Sequence, residues 1–393
     1  MTLLLFVVGV GILQAFLLAL FICFHPKSER SVNLHLGLYI IFTSLPLLIP
    51  ILQRYLSWQF LLFVDPFLLL IGPSLYFYVR SFREKITWKK SLPHFIIFGL
   101  FIVYDSYLFQ KMILQYPYSH IVPAEIPHTL SVIVRVPVRT AQMVAYYFLV
   151  RGALRTYQKS IQNLYSETSR INLSWVRWLN NGYLFLVLNG LVFYILILGF
   201  PDKFGLFIAI NLALVTPYIY GATYKGMSQP TLWQLKSGQD KDIVLEEIHE
   251  LEQATGLEME KEQKEQRQLL PPEKLNEIAS QIIEKMEEDK LYLQSELTLK
   301  DLADEIKIPS YQVTLAINEA MKKNFYDLVN GYRVEEAKSL LTDSKSGHIK
   351  ILAIGYDSGF NSKTTFNTVF KKITGFTPTD FKERHRKALE QAL

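Results

Sequence analysis

The stretch "IKILAIGYDSGFNSKTTFNTVFKKITGFTPTDF", residues 349–381, holds a complete local folding plan. Its apolar positions through Tyr356 suit a short helix, and Asp357 to Phe360 supply turn chemistry. Asn361 or Ser362 then offers a side-chain oxygen to the first free N–H groups of a new helix. Phe366, Phe370 and Ile373 recur at helical spacing and predict the buried stripe of that second helix. Gly375 is placed to close it in a left-handed turn, and Pro378 blocks continuation.

The same plan occurs upstream, in "LTLKDLADEIKIPSYQVTLAINEAM" at residues 297–321. Thr298 followed by Asp301 is a capping box, and Leu299, Leu302, Ala303 and Ile306 share one face of the helix it starts. Lys307-Ile308-Pro309 interrupts that helix, Ser310 is a natural N-cap, and Val313 and Ile317 point inward from the next helix. Helix, short turn, helix is the local plan of a DNA-reading motif. One copy is a weak signal because many two-helix corners share it; a second copy at fixed distance is a strong one. Between the copies, "FYDLVNGYRVEEAKSLL" at 325–341 is apolar at helical spacing and reads as one long connecting helix.

These residues carry a family resemblance. Ile317-Asn318, Asn324-Phe325, Asn330, Tyr332-Arg333, Ala337, Leu341, Gly359-Phe360, Ser362, Phe366, Phe370-Lys371-Lys372, Thr374-Gly375 and Thr377-Pro378 resemble the AraC/XylS signature over roughly residues 291–386. The sequence departs from the common pattern at Leu315, where a longer polar residue is frequent, at Lys322 in place of Gly, and at Gly355 in place of Ala. The resemblance implies double-stranded DNA as partner, with the two second helices entering successive major-groove segments.

Opposite the inward-facing positions lie Tyr311, Thr314, Leu315 and Asn318 in the first unit and Thr364, Thr365 and Thr368 in the second. They are the expected base-facing residues. Their hydroxyls can reach base edges or phosphates, and Leu315 or a Thr methyl can touch a thymine methyl. With no arginine fork for guanine, specificity leans on DNA shape. Lys363, Lys371, Lys372 and the tail Lys382, Arg384, Arg386 and Lys387 are the expected phosphate contacts, since the last 34 residues hold seven bases against three acids.

The rest of the 393-residue chain is different in character. Residues 1–239 carry a net +12, residues 240–289 a net −10 and residues 290–393 a net +3. Most of the excess base therefore lies between apolar segments, where it marks topology. Runs long enough to cross about 30 Å of hydrocarbon at roughly 1.5 Å per residue occur near 2–24, 33–53, 60–79, 91–109, 128–150, 177–199 and 204–224. No basic leader precedes the first, which argues against a cleaved signal peptide. Alternate loops hold twelve bases against three, which predicts a cytoplasmic-membrane protein with the N-terminus outside and everything from Lys225 onward inside. Trp58, Trp88, Trp175, Tyr76/Tyr78 and Tyr146/Tyr147 fall near span ends and are expected to anchor in the headgroup layer.

Ionisable residues inside spans are costly, and Asp65, Asp105, Arg135 and Arg139 require an explanation. Arg135, with Arg139 one turn deeper, is expected to face Asp65 or Asp105. The group either lines an outward pocket for a small or anionic ligand or locks helix packing as an ion pair. The acidic stretch Asp240 to Gln268 has only a thin apolar seam at Val244, Ile248 and Leu251. It reads as a solvated tether, or as a short coiled coil that would make the protein a homodimer. A single cysteine, Cys23, excludes an intramolecular disulfide and any multi-cysteine zinc site. The cytoplasmic part has no phosphate-cradling Gly-rich loop, His-Glu metal spacing or nucleophile motif, so neither an enzyme nor a cofactor or metal is expected.

The expected architecture is all-α: a seven-helix transmembrane bundle at 1–226, an acidic helical connector at 227–271, and an AraC-type double helix-turn-helix domain at 272–393 with units about 298–322 and 349–375. Its function would be that of a membrane-bound one-component transcription regulator; it resembles such regulators of the family by architecture alone. The alternative is a membrane receptor or transport-type protein whose C-terminal fold binds a protein partner.

Overall fold

A backbone that meets no water must satisfy its own hydrogen bonds, and long apolar runs do so as helices. A computed structural model describes residues 2–24, 30–52, 55–56, 62–115, 130–169, 171–227, 270–343 and 349–392. Among these there is no strand, only one isolated bridge between Tyr165 and Thr298. The chain divides into two compact units, Met1–Tyr157 with Leu173–Leu245, and Gln158–Asn172 with Glu246–Leu393. The expected connector falls on residues 228–269, outside those described.

In the first unit α1 is Thr2–Phe24, α2 Arg30–Ser44, α3 Ile71–Arg80, α4 Ile96–Gln115, α5 Leu130–Leu164, whose residues from Gln158 on belong to the second unit, α6 Ser174–Gly199 and α7 Phe204–Met227. Five segments among the described residues are long and apolar enough to cross a membrane: Leu5–Phe24, Val32–Leu52, Trp88–Gln115, Ser174–Gly199 and Phe204–Gly226. The third and fifth expected spans are built differently. Prolines interrupt the third, which is a 3-10 turn at Asp65–Leu70 leading into the ten-residue α3. The fifth lies in α5, whose N-terminal turns carry Arg135 and Arg139 and so dilute its apolar character. Large apolar side chains such as Phe6, Leu13, Leu100, Val103, Ile195 and Leu206 point outward with more than half of their surface exposed. Buried polar side chains link the helices from inside: Tyr183 Oη donates to Met143 O at 3.0 Å, Asn180 Nδ2 to Tyr147 O at 3.1 Å and Gln142 Nε2 to Leu69 O at 3.1 Å. Trp88 is exposed as an anchor should be, but Tyr78, Tyr146, Tyr147 and Trp175 are buried. The last four serve helix packing, with the Tyr78 and Trp175 rings 5.9 Å apart, and not the anchoring expected of them.

In the second unit α8 is Pro272–Glu287, α9 Leu299–Ile306, α10 Ser310–Leu315, α11 Phe325–Thr342, α12 Ile351–Asp357, α13 Lys363–Thr374 and α14 Pro378–Ala392. The capping box forms: Asp301 N donates to Thr298 Oγ1 at 3.1 Å, and Thr298 N to Asp301 Oδ2 at 2.8 Å. Asn324 caps α11, its Oδ1 accepting from Asp327 N at 2.7 Å. Of the two candidate caps on α13, Ser362 is used, its Oγ accepting from Thr365 N at 3.1 Å. Ser362→Ala is expected to cost about 1 kcal/mol, read as faster hydrogen exchange in the first turn of α13 of the full-length protein.

Two local expectations fail for physical reasons. Ser310 is the first residue of α10 and not its cap; Pro309 precedes the helix in an extended conformation and no side chain caps it. Ile373 is 46 % exposed because the stripe of α13 turns away in its last turn, where Val369, at 4 %, has already taken the inward position. The core of this unit joins Val334, Ala337 and Leu341 of α11 to Ile354, Phe360, Phe366 and Phe370.

Both glycine departures from the family pattern have structural counterparts. Lys322 occupies the left-handed region at φ 53°, where a glycine would be unstrained. A Cβ on Gly355 would lie 2.7 Å from Phe366 Cδ1, so an alanine there would require that ring to shift.

Candidate nucleic-acid interface and a buried charge cluster

The first helical pair is α9 with α10, the latter extended by a π-turn at Ala316–Ala320. Val313, Ala316 and Ile317 seal α10 against its own unit, leaving Tyr311 exposed and Leu315 and Asn318 half-buried on the outer side. Thr314 is buried, and its hydroxyl donates to Ser310 O at 3.0 Å.

The second pair is α12 with α13. Gly359 makes the turn between them at φ 88°, and a Cβ there would lie 2.4 Å from Tyr292 O, so only glycine fits. Beyond it α13 displays Lys363, Thr364, Thr368, Lys371 and Lys372 to solvent. Lys372 pairs with Asp327 at 2.9 Å, leaving Lys363 and Lys371 as the cations of that face most open to phosphate. Thr365 is 8 % exposed; Ser362 Oγ donates to its hydroxyl at 2.9 Å, and that hydroxyl donates to Glu167 Oε1 at 3.3 Å. In the tail, Arg384 lies over the Phe376 ring at 4.1 Å and Arg386 pairs with Glu390 at 2.9 Å, while Lys387 is exposed.

Arg333, fully buried on α11, ties that connecting helix to the segment before α9 and lies 5.9 Å from the Phe360 ring that precedes α13. Its Nε donates to Tyr292 O at 2.7 Å, and its Nη2 to Gln294 O at 2.7 Å and Ser166 Oγ at 3.1 Å. Its Nη1 reaches Asn330 Oδ1 at 3.3 Å. Burial pulls Arg333 down to about 10, still charged at neutral pH, with Glu167 the nearby acid that opposes the shift. Sequence reading placed Arg333 in the family signature but gave it no partner, and it assigned nothing to Ser166 or Glu167.

Residues 302–384 match the family model of a helix-turn-helix domain. The helix-turn-helix match runs from within α9 through the second pair into α14, and it supports the AraC-type reading of the C-terminal part. A helix-turn-helix domain of this kind is a DNA-binding regulatory module and not a catalytic one. No curated protein and no solved structure matches the chain.

In the first unit the four ionisable residues of the apolar segments converge. Arg135 Nη2 donates to Asp65 Oδ2 at 2.7 Å and to Asp105 Oδ2 at 3.2 Å, and Arg139 pairs with Asp65 Oδ1. Asp105 is completely buried, and its Oδ1 has no partner among the described residues, nor has Arg135 Nε. A cavity of about 170 Å³ lies beside Arg139, lined also by Thr43, Leu68, Thr140, Asn189 and Asn211. Two acids and two bases balance, as burial in a medium of low dielectric demands; the unpartnered oxygen and nitrogen keep hydrogen-bonding capacity in reserve.

Proposed function

We propose that the chain is a membrane-held one-component transcription regulator: the C-terminal domain binds double-stranded promoter DNA in the cytoplasm, under control of a cue received by the membrane bundle. The observation that carries this reading is the pair of helix-turn-helix units set on one connecting helix, α11, in the same chain as five helices able to cross a bilayer. The bases of the alternate loops support the orientation with the N-terminus outside, and the sequence supports seven passes of the cytoplasmic membrane. The cue is a small ligand, received in the cavity that Arg139 lines, with Asp65, Arg135 and Asp105 tied to Arg139 through the chain of ion pairs; an arginine at a cavity wall suits a polar or anionic end. Tyr311, Leu315, Asn318, Lys363, Thr364, Thr368 and Lys371 form the DNA face, with Thr314 and Thr365 shaping it from beneath. A homodimer would place two such faces on one promoter.

Recovery of chromosomal fragments bound by the full-length protein tests the reading. Discrete sites are expected, and affinity for them should fall at least about thirtyfold in Thr364→Ala/Thr368→Ala, since two contacts to base edges worth at least about 1 kcal/mol each are lost. Uniform, sequence-blind recovery would favour the other class, a receptor whose C-terminal domain grips a protein.

A further inference from the structure

We propose that the loop 165–169, between α5 and α6, is a latch on the second recognition helix: seated as it is here, it opposes DNA binding and must leave for α13 to enter a groove. The proposal rests on the DNA-binding reading above.

The loop belongs to the same compact unit as the helix-turn-helix domain. Tyr165 bridges Thr298 in antiparallel fashion. Ser166 is completely buried and spends every polar atom on that domain. Its N–H and hydroxyl both donate to Leu297 O, at 3.2 and 2.6 Å, and its carbonyl accepts from Asn330 Nδ2 at 3.0 Å. Its hydroxyl also accepts from Arg333 Nη2 at 3.1 Å. A residue so fully engaged on the segment before α9 and on α11 is a seat, not a passing contact.

The next residue carries the effect. Glu167 Oε1 accepts from Ser169 N at 2.7 Å and from Thr365 Oγ1 at 3.3 Å, in the first turn of α13. That turn, at the positive end of the helix dipole, is where a DNA phosphate is well received. It also displays Lys363 and Thr364. A carboxylate held there takes the place of the phosphate and repels its neighbours on the strand. The other oxygen, Oε2, is buried with no partner among the described residues, a cost that a purely structural loop has no reason to bear and that release would relieve.

The test uses the full-length protein in lipid nanodiscs, with Cys23→Ser as background and Tyr165→Cys/Thr298→Cys added, since directly opposed residues of an antiparallel bridge suit a disulfide. The probe is labelled, sheared genomic DNA. Oxidation is expected to form the cross-link and lower DNA affinity at least about tenfold, with reductant restoring it. Glu167→Gln, without the cysteines, is expected to raise affinity severalfold. Equal or tighter binding by the oxidised form, unchanged binding by Glu167→Gln, or a pair that does not cross-link would each overturn the latch. Failure of reduced and oxidised forms alike to bind DNA would instead overturn the DNA-binding reading, and the latch with it.

Discussion

Arg333→Met in the full-length protein is expected to lower the free energy of opening of α11 and α13 by about 3–5 kcal/mol, because each stranded buried acceptor costs about 1–3 kcal/mol. The methionine fills much of the volume but donates nothing to Tyr292 O, Gln294 O or Ser166 Oγ, all of which receive an arginine N–H in this structure. Water reaching some of them sets the upper bound. Hydrogen exchange of peptides within 325–342 and 363–374 should lose roughly two to four decades of protection, at about 1.4 kcal/mol per decade. Arg333→Lys keeps the charge but not the planar fork that serves several carbonyls at once, and it should recover only part of the loss. A change below tenfold in Arg333→Met would show that the two helix-turn-helix units do not depend on this residue for their joint.

The same residue shows where sequence reading stops. Local chemistry was legible: Thr298 and Asp301 make their capping box, Gly375 closes α13 at φ 81°, and Phe366 and Phe370 are buried, because each of these depends on neighbours within four positions. The contacts of Arg333 and Asn330 with Ser166 span more than 160 positions and leave no periodic trace. Loop 165–169 carries no motif, so nothing in it announced that it belongs with the C-terminal unit. In the first unit, hydrophobic runs located the helices, but they did not register that prolines convert the start of the third span into a 3-10 turn.

Helical spacing alone also blurs the edge between an outer and an inner face. Thr314 and Thr365 lie at that edge, and the structure turns both inward. A threonine there can satisfy its hydroxyl locally, as Thr314 does on the carbonyl one turn back. A longer polar side chain would have had to reach out. The four ionisable residues of the apolar segments were the opposite case: burying a charge is so costly that partners had to exist, and mutual pairing was the only economy open to Asp65, Asp105, Arg135 and Arg139.

Charge reversal on the outer face of α13 separates DNA binding from a merely structural role. Lys363→Glu/Lys371→Glu in the full-length protein is expected to weaken binding to labelled genomic fragments about 100-fold near 100 mM salt, because each neutralised phosphate contributes about 0.9 to the slope of log affinity against log salt concentration. Removing two such contacts should flatten that slope by about two, measured by fluorescence anisotropy from 50 to 200 mM salt. Neither lysine has an ion pair among the described residues, and both are exposed, so folding should be indifferent to the change. Thr364→Ala/Thr368→Ala provides the contrast: it removes groups able to read base edges and leaves the charge alone, so it should lower the preference for discrete sites with the salt slope intact. An unchanged affinity and slope in the lysine variant would mean that α13 does not face the DNA backbone. The two variants fail differently, because a phosphate contact is blind to sequence and strongly screened, whereas a base contact is the reverse. The lysine variant therefore tests whether α13 binds DNA at all, and the threonine variant whether it reads it.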